Sequence, residues 1–321
     1  MQKNILVLYY TQTGQLEDIV KNIAQPFEDK KDEYNVTYYS IKLKEDFPFP
    51  WPGDVFFNTF PESYLQIPRE ILPPPEEVLN KKFDLIIFGY QVWYLTPSIP
   101  IISFLKSGYA ENILKDTPVV TVSGTRNMWM LSQEKLKVYL KNLNAKLVGN
   151  IALVDRHDNY TSVLTILRWL TTGKKEKSGM LPAAGISDEE IAGAGKYGNI
   201  IKRHFDNNHY DNLQPELVKN GAVEIRPFLV RVEKVGNKIF TVWSNLIIRK
   251  KEKRPMLIKF FKVYLMAAIW IISPIVLVFH ILLAPLLRSK RMKEKKIFTR
   301  NKFKIRDERR IYNQSFNILT Q

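Results

Sequence analysis

Leu8-Tyr-Tyr-Thr-Gln-Thr-Gly-Gln-Leu16 joins an apolar run, Asn4-Ile-Leu-Val-Leu-Tyr-Tyr10, to a stretch in which Leu16, Ile19, Val20, Ile23 and Ala24 recur at helical spacing. The run predicts a buried strand, and the spacing after it predicts an amphipathic helix. A hydroxyl-rich turn between two such elements is a phosphate cradle. The first N–H groups of a helix have no partner within it, and the dipole there favours an anion. Thr11 and Thr13 add hydroxyl donors, and Gly14 lets the backbone approach a ligand closely. No lysine follows Gly14, which excludes a nucleoside-triphosphate P-loop; no second and third glycine follow, which excludes the dinucleotide fingerprint. Two readings are left: a loop that holds a phosphate monoester through hydroxyls and backbone, or an ordinary strand-to-helix turn.

Two later units repeat the pattern. Phe83-Asp-Leu-Ile-Ile-Phe-Gly89 predicts a strand that leads into Tyr90-Gln-Val-Trp-Tyr-Leu-Thr-Pro97. A helix is then expected from near Ser98, with Pro100 in its first turn and Ile101, Ile102, Phe104 and Leu105 facing inward. Thr117-Pro-Val-Val-Thr-Val122 leads likewise into Ser123-Gly-Thr-Arg-Asn-Met-Trp-Met130, before a helix from about Ser132. Residues 36–41 and 148–154 complete five expected strands. The three loops fall at the carboxyl ends of parallel strands, where open α/β sheets bind ligands. Two of them carry a tryptophan, Trp93 and Trp129, and each is either core or a flat wall for a planar ligand. Trp93 lies beyond the strand end at Gly89, which favours the wall. A loop that binds phosphate through hydroxyls and backbone, without a fixed cation, suits the monoester of FMN. Its candidate ligands are Thr11, Gln12, Thr13, Gly14 and Gln15, then Tyr90, Gln91, Val92, Trp93 and Tyr94, then Ser123, Gly124 and Thr125.

On these residues the chain resembles the flavodoxin-like superfamily, in particular its quinone-reductase-type branch. The likeness is carried by Thr11-Gln-Thr-Gly14, by Phe88-Gly89, Val92-Trp93, Pro97, Pro100 and Phe104-Leu105, and more loosely by Ser123-Gly-Thr-Arg126. It extends over about residues 1–208. It implies an α/β fold, a five-stranded parallel sheet sandwiched by helices, with FMN as cofactor. The family often continues its first loop as Thr-Gly-Asn-Thr, where this chain has Thr13-Gly-Gln-Leu16, one hydroxyl phosphate ligand fewer.

The 321 residues include no cysteine, which excludes disulfides, thiolate catalysis and cysteine-held clusters. The four histidines, His157, His204, His209 and His280, show no ligand-like spacing, so no metal site is expected. The apparent absence of a signal peptide predicts a cytoplasmic catalytic part. The formal net charge of +16 is uneven. Residues 249–321 hold 19 Lys and Arg against 4 Asp and Glu, and residues 1–248 hold 29 against 28. A neutral domain with a basic tail does not suit nucleic-acid binding.

Within that tail, residues 263–287 form an uncharged run longer than the roughly 20 residues that cross a bilayer. Pro274 interrupts it, Pro285 lies near its end, and basic clusters flank both sides. The positive-inside rule puts both clusters on the cytoplasmic side, and a single span cannot satisfy both. The expectation is a hydrophobic helical wedge, residues 256–296, that dips into the cytoplasmic leaflet with its basic shoulders on anionic lipid. A single span, and a buried hairpin or homodimer interface, are the alternatives. Residues 209–255 are expected to bridge to the wedge, first strand-like and then helical over 222–250, and residues 297–321 are a basic tail.

A proline- and aromatic-rich insertion at 44–77 is expected to lack regular structure, either covering a sheet edge or forming a lid or wall over the ligand. After the fifth strand, Asp155-Arg-His-Asp-Asn-Tyr160 again faces the ligand crevice. His157 and Tyr160 are candidate proton handlers there, with a solvent-exposed loop histidine as the plainer alternative. Ser187-Asp-Glu-Glu190 is a capping box expected to open a helix to about Asn207.

Taken with the hydrophobic, basic C-terminus, the Thr11-Gln-Thr-Gly-Gln15 loop is similar to that of a family of bacterial dialkylresorcinol and aryl-polyene pigment biosynthesis. The resemblance implies oxidative aromatisation of a dialkylcyclohexanedione, supplied by a partner ketosynthase, to a dialkylresorcinol. FMN would accept the hydride, with His157, Tyr160 or Arg126 holding the developing enolate. An NAD(P)H-dependent quinone reductase and a membrane-tethered electron carrier are the other two readings.

Overall fold

The computed structural model describes residues 2–272 and 274–275. Five parallel strands form one sheet: β1 (Lys3–Tyr9), β2 (Tyr34–Ser40), β3 (Leu85–Gly89), β6 (Pro118–Thr125) and β7 (Lys146–Val154). Two two-residue strands, β4 (Val92–Trp93) and β5 (Thr96–Pro97), form a separate hairpin between β3 and the next helix. The sheet order is β2-β1-β3-β6-β7. Counted along the chain, its five strands run 2-1-3-4-5, the flavodoxin-like doubly wound order. The order reverses between β1 and β3, so the crevice for a ligand lies outside their carboxyl ends.

Side-chain alternation sends Ile5, Val7 and Tyr9 to one face, and Leu6 and Leu8 to the other. The first face is covered by α1 (Gln15–Glu28), α9 (Asp188–Ala192), α10 (Gly195–Asp206) and α11 (Leu213–Lys219). The second is covered by α4 (Glu76–Leu79), α5 (Ile99–Leu105), α6 (Gly108–Leu114) and much of α7 (Met130–Asn142). At the crossing of α1 and α10, a Cβ on Gly198 would sit 2.0 Å from the Ile23 carbonyl oxygen, so only glycine allows this approach.

Four expectations are corrected. First, Ser123, Gly124 and Thr125 are strand, because β6 continues beside β7 (Ser123↔Ala152 to Thr125↔Val154) after its pairing with β3 ends at Gly89↔Val122. The loop therefore begins at Arg126. Second, the insertion holds two helices, α2 (Gly53–Asn58) and α3 (Phe60–Tyr64), and ends in the first turn of α4. Pro52 and Pro75 occupy N-cap positions and Pro61 lies in the first turn of α3, where a missing N–H costs no hydrogen bond. Third, the helix opened by Ser187 stops at Ala192, and α10 starts afresh at Gly195. Ser187 does cap α9 through the Glu190 N–H, but the Glu190 carboxylate turns to Arg156. Fourth, the strand-like character near residue 222 amounts to one bridge, Ala152↔Val223.

Leu213, Leu217, Ala222, Ile225, Leu229 and Val230 pack into the main core beside α1 and β7. The 23-residue helix α12 (Pro227–Arg249) follows, and after a turn at Lys251–Lys253, α13 (Arg254–Ala267) returns. This hairpin seats on α2 and α3. Phe60 stacks on Phe261 with ring centroids 3.8 Å apart, the Tyr64 hydroxyl donates to the Asn237 carbonyl at 2.6 Å, and Arg254 forks onto Glu62 at 2.7 and 2.9 Å. A π-helical turn, Ala268–Ile272, ends the continuous description. Among the described residues, no helix is long and apolar enough to cross a membrane. The second half of the expected wedge, from residue 276, and the basic tail lie outside the described residues.

Candidate functional site

Three connections converge on the carboxyl edge of the sheet. The first, residues 10–14, ends at Gly14, whose φ of +84° suits glycine, with open space where a Cβ would stand. The Thr11 hydroxyl oxygen accepts the Gly14 N–H at 3.1 Å, which leaves the Thr11 O–H free to donate outward. No side chain caps the first turn of α1. Thr13 is half-buried at the same turn. Gln12 and Gln15 do structural work instead. Gln12 donates to the Pro48 carbonyl at 3.1 Å. Gln15 donates to the Ile186 carbonyl at 3.1 Å and accepts its N–H at 3.2 Å, pinning the segment before α9 onto the loop. Glu17 and Asp18 already place acid in the first turn of α1, and Glu17 pairs with Lys21 at 2.6 Å.

The second connection is a tight hairpin. Val92 pairs with Pro97 and Trp93 with Thr96, leaving Tyr94 and Leu95 as a two-residue turn with φ of +48° and +64°. Positive φ at both positions is the type I′ pattern, which normally selects Asn or Gly. The Tyr94 hydroxyl donates to the Phe56 carbonyl at 2.7 Å, so its ring belongs to the insertion's aromatic cluster. Burial holds its pKa well above the phenolic range. Trp93 is half-buried. It meets Phe47, Trp51 and Tyr10 edge-on at 5.0, 5.3 and 6.2 Å between centroids. Trp129 is fully buried in the main core and offers no ring wall.

At the base of this edge, Gln91 Oε1 and Ser98 Oγ are buried without a hydrogen-bond partner, while the fully buried Tyr90 hydroxyl and Ser123 side chain meet each other. Unpaired polar atoms in such a place are costly and call for a partner. The uncapped helix start and the open Gly14 fit a phosphate, and Gln91 fits the polar edge of FMN. The flat walls are less ready, because Trp51 and Trp93 pack on each other where a ring would enter.

The third connection joins β7 to α8 (Asn159–Thr172). Asp155 is buried. Its Oδ1 lies 2.7 Å from His157 Nδ1 and its Oδ2 accepts from Ser162 Oγ at 2.7 Å. A carboxylate on Nδ1 fixes the proton there and turns Nε2 outward as an acceptor. Arg126 is half-buried near Asp155 and donates to the Asn159 carbonyl and side chain at 3.1 and 2.9 Å. Desolvation lowers its pKa to about 10, against the pull of Asp155. Tyr160 turns elsewhere and lies against Trp270 at 5.7 Å. The structure thus brings His157 and Arg126 together around Asp155 and separates Tyr160 from them. The sequence reading missed Asp155 and Ser162 as the groups that orient His157, although the Asp155-x-His157 spacing was the available signal. Among the described residues, no His, Asp and Glu cluster could hold a metal ion.

No family model matches the chain, and no curated protein matches it. Solved structures do. A flavoprotein from Lactobacillus acidophilus NCFM in complex with FMN is 19% identical, covering 48% of this chain and 94% of its own, with a TM-score of 0.37. Oxidised flavodoxin 1 from Bacillus cereus is 12% identical, covering 63% and 99%, at 0.35. A putative flavoprotein from Bacteroides eggerthii DSM 20697 is 18% identical, covering 53% and 99%, at 0.36.

Proposed function

We propose that this protein is an FMN-dependent oxidoreductase that acts on a lipophilic cyclic ketone at the cytoplasmic face of a membrane. The reaction that best matches the chemistry is oxidative aromatisation of a dialkylcyclohexanedione to a dialkylresorcinol. The observation that carries this reading is the Asp155–His157 pair, within the third of the three connections at the sheet's carboxyl edge.

The α1 N-terminus, with the Thr11 and Thr13 hydroxyls, would hold the phosphate, and Gln91 would meet the polar edge of the ring. FMN, when bound, supplies a two-electron acceptor for hydride. The remaining work falls to this chain. His157 Nε2 takes the proton from the carbon next to the one that loses hydride, and Asp155 supports the charge that the imidazole gains. Arg126 stabilises negative charge on the ketone oxygen as the ring becomes an enolate. The aromaticity gained drives the reaction, so this modest machinery suffices. Anionic lipid, the basic C-terminal segment and a partner ketosynthase that makes the dione belong to the same proposal.

The test is purification with and without detergent, with visible spectra and identification of any released chromophore, followed by incubation with a dialkylcyclohexanedione. Flavin-loaded protein that yields the dialkylresorcinol supports the reading. A colourless preparation that FMN cannot reconstitute removes the cofactor. Flavin-loaded protein that is rapidly bleached by NADPH but leaves the dione untouched selects a quinone reductase instead.

A further inference from the structure

A cavity of about 290 Å³ lies between the insertion and the start of α13, lined by Val55, Asn58, Thr59, Glu62, Arg69, Ile99 and Arg254. Its charges are unequal. Arg254 is satisfied by both oxygens of Glu62 and by the Asn58 carbonyl at 2.6 Å. The other nearby carboxylates are also engaged: Glu70 by Lys44 at 3.1 Å, and Asp46 by the Tyr10 hydroxyl at 3.0 Å and the Phe47 N–H at 2.8 Å. Arg69 is different. Its backbone is held by Ser103 at 2.8 Å, and its guanidinium lies over the Phe47 ring at 4.0 Å. Among the described residues, no carboxylate or hydrogen-bond acceptor meets that guanidinium.

Arg69 is exposed, and a guanidinium over an aromatic ring keeps N–H groups to offer a carboxylate or phosphate fork. The rest of the wall is apolar at Val55 and Ile99. Behind Phe47 stands Trp51, stacked on it at 5.2 Å between centroids. The cavity also reaches α13 through Arg254, the helix's first residue. We propose that this cavity binds the anionic head of a single-chain amphiphile, with Arg69 as the anion's partner and the apolar wall beside the chain's first carbons. The volume is close to the lower limit of small-molecule sites, about 300 Å³, which suits a head group with part of a chain. The Phe47–Trp51–Trp93 contacts connect this site to the first two loops of the sheet edge. The proposal holds whether or not FMN is bound.

The full chain is titrated by calorimetry, below micelle concentrations, with dodecanoate, dodecyl phosphate, dodecanol and inorganic phosphate, and tryptophan emission is followed in parallel. One-to-one binding of dodecanoate or dodecyl phosphate, at least tenfold tighter than dodecanol and inorganic phosphate, is expected. Whichever of the two binds more tightly identifies the head as carboxylate or phosphate. Arg69→Gln should weaken that binding at least tenfold, and Arg69→Lys should recover part of it. Val55→Phe, which fills the cavity and leaves the charge in place, should also abolish it. Dodecanol binding as tightly overturns the anionic head, and inorganic phosphate binding as tightly overturns the chain. Unchanged affinity in both Arg69→Gln and Val55→Phe overturns the location.

Discussion

Asp155 holds His157 twice, with Oδ1 2.7 Å from the ring Nδ1 and 3.0 Å from the same residue's backbone N–H. Ser162 fixes the other carboxylate oxygen, so the imidazole is oriented from a buried and fully engaged acid. Asp155→Asn preserves this shape and removes the charge. If His157 moves the proton, Asp155→Asn and His157→Gln should each lower turnover about 10²-fold or more, within the range for general acid–base catalysis. Their FMN affinities should remain within about twofold of the parent, because neither residue lies in the phosphate loop. Turnover and a visible titration of each variant check this, and unchanged turnover removes His157 from the chemistry.

Gly14 offers a separate handle on the cofactor. Nothing stands within 4 Å of its notional Cβ, so alanine there meets no clash and only the strained φ of +84°. Gly14→Ala should therefore cost roughly 1–2 kcal/mol of stability, the left-handed penalty for a residue with a Cβ. It should also weaken FMN by more than the stability loss alone, because the methyl group faces the approaching phosphate. Equal FMN affinity in parent and variant would mean that this turn does not hold the phosphate.

Much of the frame was legible, and the reason is physical. Strands buried on both faces, such as 85–89, read as unbroken apolar runs, and α1 shows its buried stripe at Leu16, Ile19, Val20 and Ile23. The turn at Tyr94 and Leu95 was not legible, because neither residue type signals positive φ; tertiary docking of Tyr94 onto Phe56 enforces it. The start of α7 at Met130 was also hidden. Its first N–H groups, at Met130 and Leu131, are capped from more than 100 residues away, by Glu233 on α12. Local sequence could place neither, since both depend on the α12–α13 hairpin and the insertion meeting.

Glu233 makes that long-range cap a source of pH dependence. It is fully buried, accepts the Met130 and Leu131 N–H groups at 3.3 and 2.8 Å, and is pushed by desolvation up to about 8. Between the ordinary 4.5 and about 8, the folded chain keeps a proton that the unfolded chain has released. Stability from this group is therefore highest at low pH and declines as pH rises through that window. Lys135, lowered by burial to about 7 from 10.5, has the opposite sign, and its contribution grows as pH rises above 7. Glu233→Gln stays neutral, so the parent's melting temperature minus the variant's should fall steadily from pH 5 to pH 7. Parallel melting curves across that range would show that Glu233 does not titrate there.

The hairpin's grip on the insertion rests on Phe261, which is fully buried and stacked on Phe60 at 3.8 Å. Truncating it leaves a cavity among Phe57, Tyr64 and Phe240 as well. Phe261→Ala should cost about 3–5 kcal/mol, as for other buried phenylalanines. Limited proteolysis should then cut first near residues 250–253, while the sheet core stays intact. A variant as stable as the parent would mean that α13 is held by the Arg254–Glu62 pair and not by ring packing.

Phe260, the neighbour of Phe261, points the other way. Phe260 and Val263 are 57% and 69% exposed on α13, with Lys259 and Lys262 exposed beside them. An apolar stripe edged by cations is how an interfacial helix meets anionic lipid, each cation near the surface adding about 1 kcal/mol. If the protein works at a membrane face, it should float with vesicles containing anionic lipid, less at high salt, and little with neutral ones. Phe260→Asp combined with Val263→Asp should lower the bound fraction at least tenfold in protein that melts like the parent, because neither side chain is buried. Equal flotation of parent and double variant would move the contact off α13, and no flotation of the parent at any lipid composition would end the membrane reading while leaving the flavin chemistry to be judged separately.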